Sequence, residues 1–451
     1  MFQYSNIPIR LRLLRSGLFE LSTGHLNLNI INDIKTNFSA DFLIYWLICG
    51  TFLSVPLGTS PPLICGGLAA LVWIVSGKPI KRWRVYAGQR WFWPVAVLFL
   101  LPWIGLLYTP DPSGFGRPFA TKTYYWVFGF VVAAIPFARF SAERLIQAFC
   151  IGLAVNAVVA VLQFAGIVPI INPFAYGLAL GSSTMAAFLN LGILMASRYF
   201  RDTNDRRKRL FYALLGGLFF FHLIIMRGRT GLFTFFVVSP LILRNVFGRI
   251  KILRMVLIYE ILVGVMLLSP VVWDRIFWSV DQLKHHLSMD PHSAWGKEWD
   301  NQEDRLFMWR GAIQIFLEHP VLGVGTGGYP VVMYERGDPD WPYMYHPHSN
   351  YLYMAVSFGL IGVFALTWFF WEMFKNAWEE RQTHLGYFIF STALVMFISG
   401  IFNTQIIDSS TALLLALAVG LQNGLPKFSR AITPHVSKAQ IAQPETQEEM
   451  T

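Results

Sequence analysis

Three short stretches hold residues whose types and spacing could do chemistry. MRGRTG places Arg227 and Arg229 at the mouth of an apolar block. EDRLFMWRGAIQIFLEHP carries Arg305 and Arg310 on a run in which Leu306, Trp309, Ile313, Phe316 and Leu317 recur at helical spacing, and Pro320 ends it. His346-Pro347-His348-Ser349-Asn350 then leads straight into apolar sequence. An arginine where cations are otherwise avoided calls for an anionic ligand or an acidic partner. A histidine with a pKa near ~6.5 suits proton abstraction at neutral pH. Between the second and third stretches lies a glycine-rich turn, Gly323, Gly325, Gly327 and Gly328. No strand precedes it, so it is read as a tight backbone turn rather than a dinucleotide motif.

Plainer readings stand beside these. Arg227 and Arg229 could bind lipid headgroups or snorkel. Arg305 could pair with Glu303 or Asp304 in an interval that is acidic overall, and Arg310 falls on a different side of the same helix. His346 and His348 point to opposite sides if the chain is extended around Pro347. His285, His286 and His292 have no credible ligand spacing, so no metal and no cofactor is expected. Cys49, Cys65 and Cys150 fall inside apolar blocks and imply no disulfide. Asn156, Asn190 and His222 suit hydrogen bonds between helices, and Glu260 should face protein or lie near a helix end.

The elements that must position these residues are membrane helices. Of the 451 residues, 55% are hydrophobic and 14% charged, against about 25% charged in soluble domains. The apolar residues come in long blocks, which makes this an all-α polytopic membrane protein. The net charge of +10 sits in short loops, where it sets topology rather than binding nucleic acid. About twelve spans are expected: roughly 42–57, 63–76, 93–107, 124–136, 146–164, 174–196, 210–226, 231–243, 255–272, 351–374, 387–402 and 406–421. Lys and Arg alternate so that both termini face the cytoplasm, and the interval 273–345 faces the other side. The expected organisation is an interfacial N-terminal segment (1–41) with a basic amphipathic helix over 9–19, spans one to nine (42–272), a long periplasmic helical loop (273–350), spans ten to twelve (351–425) and a disordered tail (426–451).

RGRTG at the start of a span, DRLFMWRGAIQIFLEHPVLGVGTGGY in the long loop and HSNYLYMAVSFGLIG entering the next span together resemble the O-antigen ligase and polymerase superfamily. The resemblance implies a GT-C-like glycosyltransferase of the bacterial inner membrane, with its active site facing the periplasm. Its members take a glycan from undecaprenyl diphosphate, and the ligases pass it to lipid A–core oligosaccharide. Carried over by motif, Arg229 and Arg305 contact the donor diphosphate and His348 is the essential histidine, here a general base; Arg227, His346 and Arg310 are secondary candidates. The family's histidine is followed directly by asparagine, whereas here Ser349 separates His348 from Asn350. Expected partners are lipid-linked O-antigen, lipid A–core and membrane lipids, with no nucleic acid. A polymerase, a protein O-oligosaccharyltransferase of the same superfamily, and a transporter of lipid-linked glycan are the competing readings.

Overall fold

The computed structural model describes residues 39–171, 176–178, 180–226, 228–248, 251–267, 277, 280, 284, 305–336 and 345–426. Arg227, the amphipathic segment expected at 9–19, the tail and most of the interval 268–304 lie outside them.

The described residues form helices and turns, with no strand among them. In chain order the helices are α1 (Ala40–Ser54), α2 (Ser60–Val75), α3 (Lys78–Ala87), α4 (Phe92–Gly105), α5 (Arg117–Thr121), α6 (Tyr125–Ala133), α7 (Ala142–Phe164), α8 (Ser182–Asp202), α9 (Arg206–Ile225), α10 (Arg229–Phe247), α11 (Ile252–Leu267), α12 (Arg305–Glu318), α13 (Gly328–Arg336), α14 (Asn350–Glu379), α15 (His384–Ser399) and α16 (Ser409–Leu421). A helix lies at each expected apolar block. Four of them, α7, α9, α10 and α14, are long and apolar enough to cross a membrane alone. The pair α2 and α3 bends by 96° at its break, and α1, α4 and α15 are shorter apolar helices. This is a multi-pass membrane protein in which several helices rely on neighbours for their placement.

The centre of the bundle is α8, α15 and α16. Residues Ser410 to Leu421 are buried on every side, as expected of a helix that is apolar all round. α8 packs against α9, α10 and α15, while α14 packs against α4, α12 and α15. Buried amides tie the helices as expected. Asn190 Nδ2 donates to the Gly231 carbonyl at 3.0 Å and so fixes the first turn of α10 on α8. His222 Nε2 lies 3.1 Å from the Tyr176 carbonyl.

The bundle has two polar ends. At one, Arg198 on α8 donates to the Gln382 carbonyl and pairs with Asp202 at 2.6 Å, and His384 lies 3.1 Å from Asp202 and 3.2 Å from Glu143. At the other end α8, α10, α14 and α16 begin.

A second, smaller core seats α12 and α13 on α14. It contains Met308, Ala312, Ile315, Val324, Tyr329, Met333 and Val356. This corrects the expected face of α12: Ile313 and Leu317 are exposed, and Met308, Ala312 and Ile315 turn inward instead. The apolar residues of α12 cover more than half of its circumference, with Arg310, Gln314 and Glu318 four residues apart on the remainder. The side holding Gly311 and Ala312 lets a neighbour approach closest, and a Cβ on Gly311 would sit 2.5 Å from Met333 Sδ.

The glycine-rich turn has a structural task. α14 is broken at Gly359, whose φ of 61° and ψ of −150° are non-helical. The freed carbonyls are taken by the turn: Val324 N–H donates to Val356 O and Gly325 N–H to Ser357 O, both at 2.9 Å, while Leu360 N–H donates to Pro320 O at 2.8 Å. A broken helix is tolerated in a membrane protein only where its backbone groups are satisfied in this way.

Candidate functional site

Arg305, His346 and His348 converge where α12 and α14 begin, beside the start of α10 and around the connection between α15 and α16. That connection, Phe402 to Asp408, is the platform. Arg305, the first residue of α12, donates from Nη1 to the Phe402 carbonyl at 2.7 Å and to Thr230 Oγ1 at 3.1 Å. Thr230 directly follows Arg229, so the start of α10 and the start of α12 are joined through one guanidinium. Phe402 is itself clamped, its ring centroid 4.9 Å from that of Phe233 and 5.6 Å from that of Trp309. The Arg229 backbone opens α10; its side chain lies outside what the structure describes. Arg310 is half-buried in the second turn of α12, roughly 140° around the helix from Arg305.

Both histidines of the third stretch reach this platform, though not as an extended chain would place them. His348 has a φ of 48°, and it is the one non-glycine residue with positive φ among those described. That left-handed turn costs about 1–3 kcal/mol. It folds the two imidazoles onto the same side, edge to face, with centroids 4.4 Å apart. The expectation of opposite directions therefore fails, because Pro347 is followed by a left-handed residue rather than a strand-like one.

The two rings have different surroundings. His346 Nδ1 accepts from the His348 N–H at 3.3 Å and lies 3.0 Å from Thr404 Oγ1. A nitrogen that accepts a backbone N–H carries no proton, so the neutral His346 ring presents Nε2–H and acts as a donor. The Asn403 side chain lies beside His348 and favours its protonated form.

Electrostatics keep both rings neutral. Burial, followed by the charges of His348, Lys122 and Arg305, pushes His346 down to about 3. Burial and then Arg305 push His348 down to about 4, with the Asn403 bond opposing. Lys122 faces the same region; burial holds it below its ordinary range, and the Asp408 carboxylate pulls the other way. Asp408 caps α16 and accepts from Thr184 and Thr411 hydroxyls. The starts of α10, α14 and α16 each add a partial positive charge of order +0.5. Together with Arg305 and Lys122 they make surroundings that attract anions.

Asn350, the first residue of α14, locks the third stretch to the platform. Its N–H donates to the Gly400 carbonyl at 2.8 Å, and its Oδ1 accepts from Ile406 N–H at 3.0 Å. Ser349 caps the helix, its Oγ accepting from Leu352 N–H at 3.4 Å. Two buried donors here, Asn350 Nδ2 and Trp309 Nε1, have no partner among the described residues.

Asn403, Thr404 and Thr230 escaped the reading of the sequence, and Lys122 was not among its site candidates. The signal that could have found the first two is FNTQIIDSS, a polar cluster with the single charge of Asp408, squeezed between apolar blocks on the face that carries the other candidates.

Residues 214–367, which run from within α9 through Arg305, the glycine turn and His348 into α14, match the family described as O-antigen ligase. No curated protein matches the chain.

Proposed function

We propose, from a chain that belongs to the O-antigen ligase and polymerase superfamily, that this protein is the ligase: a GT-C-like glycosyltransferase of the bacterial inner membrane. It moves O-antigen glycan from undecaprenyl diphosphate to lipid A–core oligosaccharide on the periplasmic face. The support is the convergence of a guanidinium, several helix N-termini and a neutral histidine, with Arg305 and His348 both inside the family segment.

In this reading Arg229 and Arg305 hold the donor diphosphate, with Arg227, Arg310 and Lys122 adding charge nearby. Guanidinium forks match phosphate oxygens, and the diphosphate is already a good leaving group. Charge stabilisation therefore carries more of the barrier than a general acid would. The acceptor hydroxyl approaches the anomeric carbon from the side opposite the diphosphate. Its oxygen forms the new glycosidic bond as the bond to phosphate breaks. The bonding electrons leave on the phosphate oxygen, and the hydroxyl proton goes to His348. A single displacement inverts the anomeric configuration and leaves undecaprenyl diphosphate. His346 Nε2–H and the unpartnered donors of Trp309 and Asn350 are suited to hold phosphate or sugar oxygens. No step calls for a metal, since arginines supply the positive charge.

Purified protein given lipid-linked glycan with and without lipid A–core tests the reading. Glycan joined to lipid A–core, with inverted linkage, is the expected product. Longer lipid-linked chains without use of lipid A–core would make it a polymerase, and transfer to a protein would make it an oligosaccharyltransferase. Movement of unaltered lipid-linked glycan across vesicles would make it a transporter.

A further inference from the structure

The end of the bundle opposite the histidines contains a feature that glycosyl transfer does not use. α9 and α10 both pack on α8 but barely touch each other. The space between them is a cavity of about 420 Å³, inside the ~300–1,000 Å³ range of ligand pockets. Its walls include Phe200 of α8, Tyr212, Gly217 and Phe220 of α9, and Phe235 and Phe247 of α10.

We infer that this cavity binds one acyl chain of an anionic phospholipid, whose phosphate rests on the basic start of α9.

The walls exclude a polar occupant. Both serines that line the cavity are already matched within the protein. Ser197 Oγ donates to the Leu194 carbonyl and accepts from Asn245. Ser239 Oγ and Tyr259 Oη lie 2.6 Å apart and share the Phe236 carbonyl. What faces the space is methylene and aromatic surface, which suits a hydrocarbon chain.

The mouth supplies the charge complement. Arg209 stands 4.5 Å over the ring of Phe200, a wall residue. Arg206, Arg207 and Lys208 are exposed in the same first turn, as is Arg244 on α10. The nearby carboxylates are engaged elsewhere: Asp202 faces Arg198, Arg201 and His384, and Asp205 caps α9 by accepting from Arg207 N–H. Basic residues against an apolar crevice are the usual recognition pattern for anionic lipid headgroups. The donor's diphosphate is not this anion. Thr230, beside the proposed diphosphate site, and Phe247, at the cavity, lie at opposite ends of α10, roughly 25 Å apart.

Gly217 provides the probe. A Cβ there meets nothing within 4 Å, and leucine is the better helix former, so Gly217→Leu fills the cavity without straining the fold. Delipidated full-length protein is titrated, by native mass spectrometry, with phosphatidylglycerol, phosphatidylcholine of the same chains, and undecaprenyl phosphate. Phosphatidylglycerol is expected to bind at least about fivefold tighter than phosphatidylcholine. Gly217→Leu should abolish that preference at an unchanged or raised melting temperature. Arg209→Gln, on an exposed side chain, should weaken phosphatidylglycerol about fivefold and leave phosphatidylcholine unaffected. Equal binding of the two phospholipids overturns the inference, as does undiminished preference in both variants. Displacement of phosphatidylglycerol by undecaprenyl phosphate at matched concentration would hand the cavity to the donor's tail and overturn it equally.

Discussion

At the scale of single residues, the two histidines differ in surroundings: His346 Nδ1 accepts the His348 N–H, and His348 lies beside Asn403. His348→Ala is expected to lower transfer by about 10²–10⁴-fold while lipid-linked donor still binds, read by turnover and by donor titration. His346→Ala should be milder and act on donor affinity, because its ring is a hydrogen-bond donor. Wild-type transfer in His348→Ala with total loss in His346→Ala would reverse the roles. Arg305→Lys should also impair transfer, since an ammonium cannot hold Phe402 O and Thr230, as Nη1 does, and also offer an anion the second arm of a planar guanidinium. The pH profile follows from the lowered His348 value of about 4. At limiting donor, activity should persist down to that region and fall as the ring protonates. Bound diphosphate offsets the field of Arg305 and favours the protonated ring, so at saturating donor the acid limb should move to higher pH. An acid limb that stays put would remove Arg305 from the diphosphate. The arginines and histidines were legible because their types are conspicuous beside apolar blocks. Asn403 and Thr404 were not, because their roles depend on a fold that brings them across from a distant loop.

At the scale of elements, the glycine turn and the break in α14 form one unit. A Cβ on Gly359 would stand 2.2 Å from the Val321 carbonyl oxygen, at a φ of 61°. Gly359→Ala should therefore lower stability by more than ~1 kcal/mol, seen as a reduced melting temperature in detergent. Gly264→Ala on α11, where a Cβ meets nothing, should be neutral or stabilising. The sequence revealed the turn but not its partner. Periodicity within α14 is unbroken, and only Gly359 hints at the kink. The inward face of α12 was misread for a related reason: an apolar arc this broad does not declare which part of it meets the rest of the protein. Propensity and patterning located the helices, while tertiary contact decided their faces.

At the scale of the whole molecule, the alternation of Lys and Arg predicts an orientation that labelling can check. In a background lacking Cys49, Cys65 and Cys150, a cysteine at Lys284 should react with an impermeant reagent from outside, and one at Asp205 should not. The reverse pattern would move the histidines to the cytoplasm and end the proposed reaction. Chelators should leave transfer intact; loss restored by magnesium or manganese would show a metal requirement. The platform from Phe402 to Asp408 also has a consequence for the order in which the protein is made. Arg229, Arg305 and His348 leave the ribosome first, and the segment that takes up Arg305 and both imidazoles follows them. A chain released before Phe402 would carry every charged and titratable group proposed for the reaction, yet nothing to aim them. Chemistry thus waits on the synthesis of that one segment, and a copy that lacks it cannot spend lipid-linked glycan.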